Sequence, residues 1–197
     1  MNNVATSEDM QLFWAVLFKG GNLNMSPRVL LEVVKPENLD RSFIGNGSWL
    51  RDVQNKHDLS EELVENFIAR NSDLVHIPSM QTTFPVVSLP KVEHDRIFFK
   101  RPIYTEDGRV QYHILDIYGG WREFYRCYPG AFGLFEFNLP GYNADHTAAL
   151  VYYRGAGGVT NGDGWLNYLE KRATPYFKPT PVVLQWCVKW EVMHYIS

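Results

Sequence analysis

The densest set of side chains that could carry chemistry lies between Arg154 and Gly164, in the run Arg-Gly-Ala-Gly-Gly-Val-Thr-Asn-Gly-Asp-Gly. Its glycines could turn backbone N–H groups toward an anion. A phosphate cradle, however, hands its chain to a helix whose free N–H groups and dipole complete the site. Here the chain runs into residues that read as a strand, with neither a Gly-Lys-Ser/Thr ending nor a correctly placed Gly-x-Gly-x-x-Gly. The run reads as a wide hairpin in which glycine permits positive φ and close strand approach. It exceeds the roughly two to five residues usual for a hairpin, and long loops often carry function. Arg154 and Asp163 at its two ends are expected to pair across the strands.

Acid–base chemistry has fewer candidates. Glycoside hydrolysis needs two carboxylates about 5 Å or about 6.5–9.5 Å apart across a groove. Glu136, in Phe135-Glu136-Phe137, is the best first member, with Asp163 or Glu170 as its partner. Strand alternation separates it from both phenylalanines and sets it beside Leu134 and Asn138, and an outward-facing glutamate on a half-exposed sheet explains the same letters. Asp145-His146 invites reading as a catalytic or metal pair, but neighbours in a turn rarely point to one site, so the pair reads as a solvated turn. His57, His76, His94, His113 and His194 are scattered, and no His-x-x-x-His or Cys-x-x-Cys spacing exists. No metal and no cofactor are expected. Cys127 falls near the end of a short helical pattern, where the negative end of the dipole disfavours a thiolate. A Gly-x-Ser-x-Gly nucleophile motif is absent.

Composition narrows the class. Hydrophobic residues at 45% and charged residues at 21% are globular values, which argues against disorder. A chain of 197 residues can bury one sizeable core, so a single domain over residues 1–197 is expected. The net charge of -3 is scattered, leaving no basic stripe for nucleic acid and no polybasic membrane anchor. The longest apolar runs, Leu12 to Phe18 and Val182 to Trp190, fall short of the roughly 20 residues of a membrane span. With no signal-peptide pattern after Met1, the chain reads as soluble and cytoplasmic as written, or as secreted if a signal peptide has been removed. Cys127 and Cys187 read as reduced packing residues. Aromatic residues reach 15%, with 6 Trp, 11 Tyr and 12 Phe. That excess fits a sheet filled with large side chains, or an aromatic-lined groove.

The elements that must position these residues follow from periodicity. A first helix is predicted from a Ser7 cap, with Met10, Phe13, Trp14 and Leu17 on one face and Gly20-Gly21 as the stop. Arg28 to Val34 reads as a strand buried on both faces, and residues 36–57 as a long connection or a pair of short turns. A second helix is predicted from an Asp58 cap with Glu61, along the stripe Leu59, Leu63, Val64, Phe67 and Ile68. Strands are predicted over Phe84 to Leu89, Arg96 to Lys100 and Val110 to Ile117. A short helix follows through Trp121, Phe124, Tyr125 and Tyr128. Ala131 to Leu139, Thr147 to Arg154, Trp165 to Arg172 and Val182 to Tyr195 then read as an antiparallel meander. The expected fold is α+β: an antiparallel sheet, mostly residues 84–197, with the N-terminal helices packed on one face.

Gly120-Trp121, Phe124-Tyr125, Tyr128-Pro129 and Gly133 form one ordered pattern. Leu139-Pro140-Gly141-Tyr142-Asn143, Thr147 to Tyr153, the Gly-rich run to Gly164 and Leu169-Glu170-Lys171 continue it. With the upstream helix Glu61 to Asn71, this order resembles a family of small, largely bacterial proteins of uncharacterised function, over roughly residues 58–197. The chain departs from that pattern after Lys171, where a Pro-rich stretch precedes Lys189-Trp190-Glu191-Val192, and at the end, where Tyr195-Ile196-Ser197 stands without the usual Trp. The resemblance implies the order of strands and transfers no catalytic residue.

Large rings without a convergent nucleophile, metal or phosphate motif point to a non-enzymatic binding or interaction domain. Its ligand-binding residues are expected to be Trp121, Tyr152, Arg154, Asp163 and Trp165 beside the Gly-rich run, with a small molecule, glycan or protein as ligand. The alternatives are a hydrolase acting on a glycan or cell-wall fragment through Glu136, Asp163 or His146, and an immunity or inhibitor protein.

Overall fold

The computed structural model describes residues 3–17, 28–31, 33–34, 48–72, 75–77, 86–98, 101–104, 110–113, 117–158, 162–173 and 184–195. Helix α1 spans Ser7–Leu17, and its cap lies one residue earlier than predicted. The Asp9 N–H donates to Thr6 Oγ1 (3.2 Å) and the Thr6 N–H donates to Asp9 Oδ2 (2.7 Å), a reciprocal capping box. The buried stripe of α1 is Asp9, Leu12, Phe13, Val16 and Leu17. An acid therefore heads an otherwise apolar face.

Two helices follow, α2 (Ser48–His57) and α3 (Glu61–Arg70). The expected connection over residues 36–57 is corrected from Ser48 on by α2, residues 36–47 lying outside the described residues; Trp49, Leu50 and Val53 pack inward, too few in an otherwise polar stretch to register as a sustained period. The cap of α3 is Ser60, whose Oγ accepts the Leu63 N–H at 3.4 Å. Asp58, the predicted cap, instead takes a left-handed φ of 51° in the turn between the two helices.

The main sheet contains β2 (Arg28–Leu31), β5 (Val86–Leu89), β8 (Gly133–Phe137), β9 (Gly141–Tyr142), β10 (Ala148–Ala156), β11 (Gly162–Ala173) and β12 (Leu184–Tyr195). Its order is β12-β11-β10-β8-β2-β5, with β9 beside β10. From β8 to β12 every pairing is antiparallel, as the meander predicts. β2 runs parallel to both β8 and β5, which makes this side of the sheet mixed. The predicted strand from Arg28 to Val34 is divided: β3 (Val33–Val34) leaves the main sheet and joins β1 (Asn3–Val4) and β4 (Val75–His76) in a three-stranded sheet of order β1-β4-β3.

Helix α4 (Lys91–Phe98) replaces the strand predicted at Arg96, with residues 99–100 outside the described residues. Its turn-by-turn alternation of Lys, Glu, His, Asp and Arg favours a surface helix with one inward row, Ile97 and His94. β6 (Arg101–Tyr104) and β7 (Val110–His113) form a hairpin. The predicted strand from Val110 is described as far as His113, and Ile117 opens helix α5 (Ile117–Cys127). Among the described residues there are five helices, none long and apolar enough to cross a membrane. Cys127 and Cys187 are free, half-buried thiols.

The α+β class and the antiparallel sheet stand, and the helices divide between both faces of it. Ala149, Val151 and Tyr153 of β10 pack with Leu12, Phe13 and Val16 of α1. The alternate residues Leu150 and Tyr152 pack with Leu50, Val53, Leu63, Val64 and Phe67 of α2 and α3. A third cluster joins Leu89, Ile97, Phe124 and Leu134 beneath α4 and α5. β10 is apolar at consecutive positions because neither face meets water.

Gly141 is required where β9 meets α3: a Cβ there would lie 2.5 Å from Phe67 Cα and 2.6 Å from its backbone nitrogen. Two backbones that close leave no side chain to move aside. Gly141→Ala is expected to lower stability by about 1–3 kcal/mol, seen as a lower urea midpoint with an unchanged slope. A wild-type midpoint would show that α3 does not rest on β9.

Candidate functional site

The residues expected to bind ligand do not share one surface. Alternation from the β10–β11 register, with Tyr152 opposite Leu166, Arg154 opposite Gly164 and Gly155 opposite Asp163, sends Tyr152 and Arg154 to the face under α2 and α3 and sends Asp163 and Trp165 to the face under α1. The expected Arg154–Asp163 pair is therefore corrected, because the two side chains leave opposite sides of the ladder. Arg154 lies directly across from Glu136. The ladder continues to Ala156 and Gly162, so the wide hairpin narrows to residues 157–161, of which 159–161 lie outside the described residues.

Tyr152 is buried in the core, and its hydroxyl occupies the space a Cβ on Gly164 would take. Trp165 stacks on Tyr153 with ring centroids 5.1 Å apart. Trp121 packs edge-on against Phe98 (5.2 Å) and Phe124 (5.3 Å) within the cluster of α4 and α5. Beside it the Tyr125 hydroxyl donates to the Gly157 carbonyl at 2.6 Å and ties α5 to the hairpin. The aromatic excess thus serves packing at these positions.

The acid–base candidates are also apart. Glu136 lies across from Arg154 and is partly buried; burial pushes its carboxyl up, against the pull of Arg154 and Lys91. Asp163 is on the opposite face of the sheet. His146 precedes the other end of β10, roughly 20 Å along the strand from Arg154 at the usual rise per residue. Glu170 lies opposite Ala148 and meets Lys189 at 3.3 Å.

A groove of about 600 Å³ instead opens where the start of α1 meets α3 and the β9–β10 turn, lined by Thr6, Ser7, Glu8, Asn66, Arg70, Tyr142 and His146. Two of these lining residues, Arg70 and Tyr142, are held by the fully buried Asp9. Arg70 Nη1 and Nη2 each donate to the Asp9 carboxylate at 2.9 Å, and the Tyr142 hydroxyl donates to Asp9 Oδ1 at 2.7 Å. Burial raises the Asp9 pKa, but Arg70, the Thr6 N–H and Tyr142 together outweigh it and hold the carboxyl below its usual range. Burial and then the Asp9 charge push the Tyr142 phenol up, so it remains a donor. Arg70 also donates to the Pro140 carbonyl at 2.5 Å, and the Tyr142 N–H donates to Asn66 Oδ1 at 2.9 Å.

The outer wall is a second network. Glu8 Oε1 accepts from Lys171 Nζ at 2.7 Å, and Glu8 Oε2 lies 3.2 Å from His146 Nδ1. Burial works against the Glu8 charge, but Lys171 and His146 together outweigh it and hold its pKa down. Lys171 lies over the Trp186 ring at 4.8 Å. The His146 ring stacks on Tyr142, with centroids 4.6 Å apart and planes 10° apart. Its backbone is left-handed, with φ of 54°, a conformation a non-glycine residue holds only where its surroundings impose it. Asp145 does not join it: Asp145 Oδ1 accepts from the Thr147 hydroxyl and N–H at 2.6 and 3.2 Å and shapes the turn.

Sequence reasoning missed Asp9, Asn66, Arg70 and Tyr142. One signal was present, an acid at the first position of the α1 apolar stripe, with Arg70 as a counter-charge at the end of the α3 stripe. Comparison with protein-family models, curated proteins and solved structures finds no match to this chain. Among the described residues no group of three or more His, Cys, Asp and Glu side chains could hold a metal ion.

A carboxyl with a lowered folded-state pKa contributes stability that is complete above its unfolded value and is lost as the pH falls below it. For Asp9 that loss begins below about pH 4. Asp9→Asn is expected to cost about 2–4 kcal/mol at neutral pH, because it leaves Arg70 without its partner, and to flatten the acid limb of a stability-against-pH curve measured by urea unfolding. Parallel curves for the variant and the wild type would remove Asp9 as the anchor of this site.

Proposed function

We propose that this chain is a non-enzymatic binding domain that holds a small polar ligand in the groove between the start of α1, α3 and the β9–β10 turn. The observation that carries the reading is the way the groove's walls are held before any ligand arrives. Asp9 locks Arg70 and Tyr142, Asn66 holds the backbone of Tyr142, and Glu8 and Tyr142 hold the ring of His146. A site whose polar groups are already oriented loses less freedom on binding. The groove volume falls in the range of about 300–1,000 Å³ common to small-molecule sites.

A second reading, hydrolysis in the same groove, is favoured by the Glu8–His146 contact. A carboxylate at Nδ1 leaves Nε2 of the ring as a proton acceptor, the arrangement of a general base. The two readings separate on whether a bound compound is recovered unchanged.

The test is a thermal-unfolding screen of small polar compounds against the wild type and His146→Gly, a substitution that removes the ring and suits the left-handed backbone. A ligand at about 100 times its Kd stabilises the native state by about 2.7 kcal/mol, which raises Tm by roughly 5–10 °C in a chain of this size. That rise is expected in the wild type and absent in His146→Gly. Equal rises in both proteins would locate binding elsewhere.

A further inference from the structure

We infer that the groove is built for a neutral, hydroxyl-rich ligand of the saccharide class, an inference that rests on the groove being the binding site. Charge balance is the first argument. Each full charge in the wall is met by an opposite one: Arg70 by Asp9 at 2.9 Å, and Glu8 by Lys171 at 2.7 Å. These four groups together carry no net charge. An anion entering here would meet the Glu8 carboxylate, and the positive end of the α1 dipole is already answered by Glu8 and Asp9. A cation would meet Arg70 and Lys171 beside those same carboxylates. Neither gains the uncompensated counter-charge that makes ionic recognition strong.

The hydrogen-bonding capacity left in the wall is the second argument. Asn66 Oδ1 is occupied by the Tyr142 N–H, so the carboxamide presents its NH2 group as a donor. His146 Nδ1 faces Glu8, which leaves Nε2 to accept. The exposed Ser7 hydroxyl can do both. Donors and acceptors thus alternate around one opening, and adjacent hydroxyls, each able to donate and accept, match that alternation. The His146 ring, about half exposed while one face stacks on Tyr142, offers a flat surface for the C–H side of a sugar ring.

The experiment is an NMR titration of the 15N-labelled full chain with three separate probes: N-acetylglucosamine, inorganic phosphate and putrescine. The sugar is expected to move the amides of Ser7, Glu8, Asn66 and His146, and the two ions to leave them in place. Ser7→Ala, at an exposed position, is expected to weaken sugar binding up to about tenfold, the net value of one hydrogen bond, with the rest of the spectrum unchanged, whereas Asn66→Ala, which also releases the Tyr142 N–H, is expected to weaken it at least as much and to move the Tyr142 amide. If phosphate or putrescine moves these amides and the sugar does not, the neutral class is overturned while the groove remains a binding site. Sugar-induced shifts confined to other residues, or no shift with any of the three, overturn the inference; the thermal screen decides independently whether the groove binds.

Discussion

The buried carboxylate of Asp9 is the constraint on which the arrangement of the molecule around the groove depends. It sits at the head of the apolar stripe of α1, where an ion without partners would cost several kcal/mol. Three elements answer it at once: Arg70 from the end of α3, the phenol of Tyr142 from β9, and the cap of α1 itself through Thr6. These partners come from parts of the chain separated by 61 and 133 residues. Satisfying one charge therefore fixes the relative positions of a helix on one face of the sheet, a helix on the other, and the strand between them. The same geometry that satisfies Asp9 presents Arg70, Tyr142 and, through stacking, His146 to the groove.

The sheet supplies the rigid frame for that arrangement. β10 is buried on both sides, with α1 over Val151 and Tyr153 and with α2 and α3 over Leu150 and Tyr152. The groove lies at one end of this strand, where the polypeptide turns from β9 into β10. Asn143 and Asp145 secure that turn through Thr147 and Ala148. His146 is left pointing outward from a turn whose two ends are held by ladder hydrogen bonds. Buried polar networks of this kind hold side-chain positions firmly when every member is satisfied. Lys171, reaching Glu8 from β11, extends the network across the sheet to the first turn of α1.

Much of the secondary structure was legible from local pattern. The meander from β8 to β12, the helix through Trp121 and the helix ending at Arg70 all follow from periodicities of two or 3.6 with clear turn residues between them. The errors have local causes. α2 turns only Trp49, Leu50 and Val53 of its apolar residues into the core, within an otherwise polar stretch, and a run of charges hid α4 behind an expected strand. The parallel placement of β2 between β5 and β8 leaves no mark in the letters of β2, since a short apolar run reads the same whichever way its neighbours run. The candidate site was less legible. Glycine and aromatic content drew attention to the β10–β11 hairpin, where the rings pack against one another and the ladder closes most of the loop.

Sequence alone determined the α+β class and the antiparallel order of the last strands. Those properties depend on residues near one another in the chain, within one helical turn or one hairpin. Tertiary structure alone decided that Asp9, Arg70, Tyr142 and His146 share one place and that Glu136, Asp163 and His146 do not. A strand sends consecutive residues to opposite faces, so a single step of register reverses which of them can meet. The partners of a buried charge are chosen by packing across the whole chain, and no local spacing records that choice.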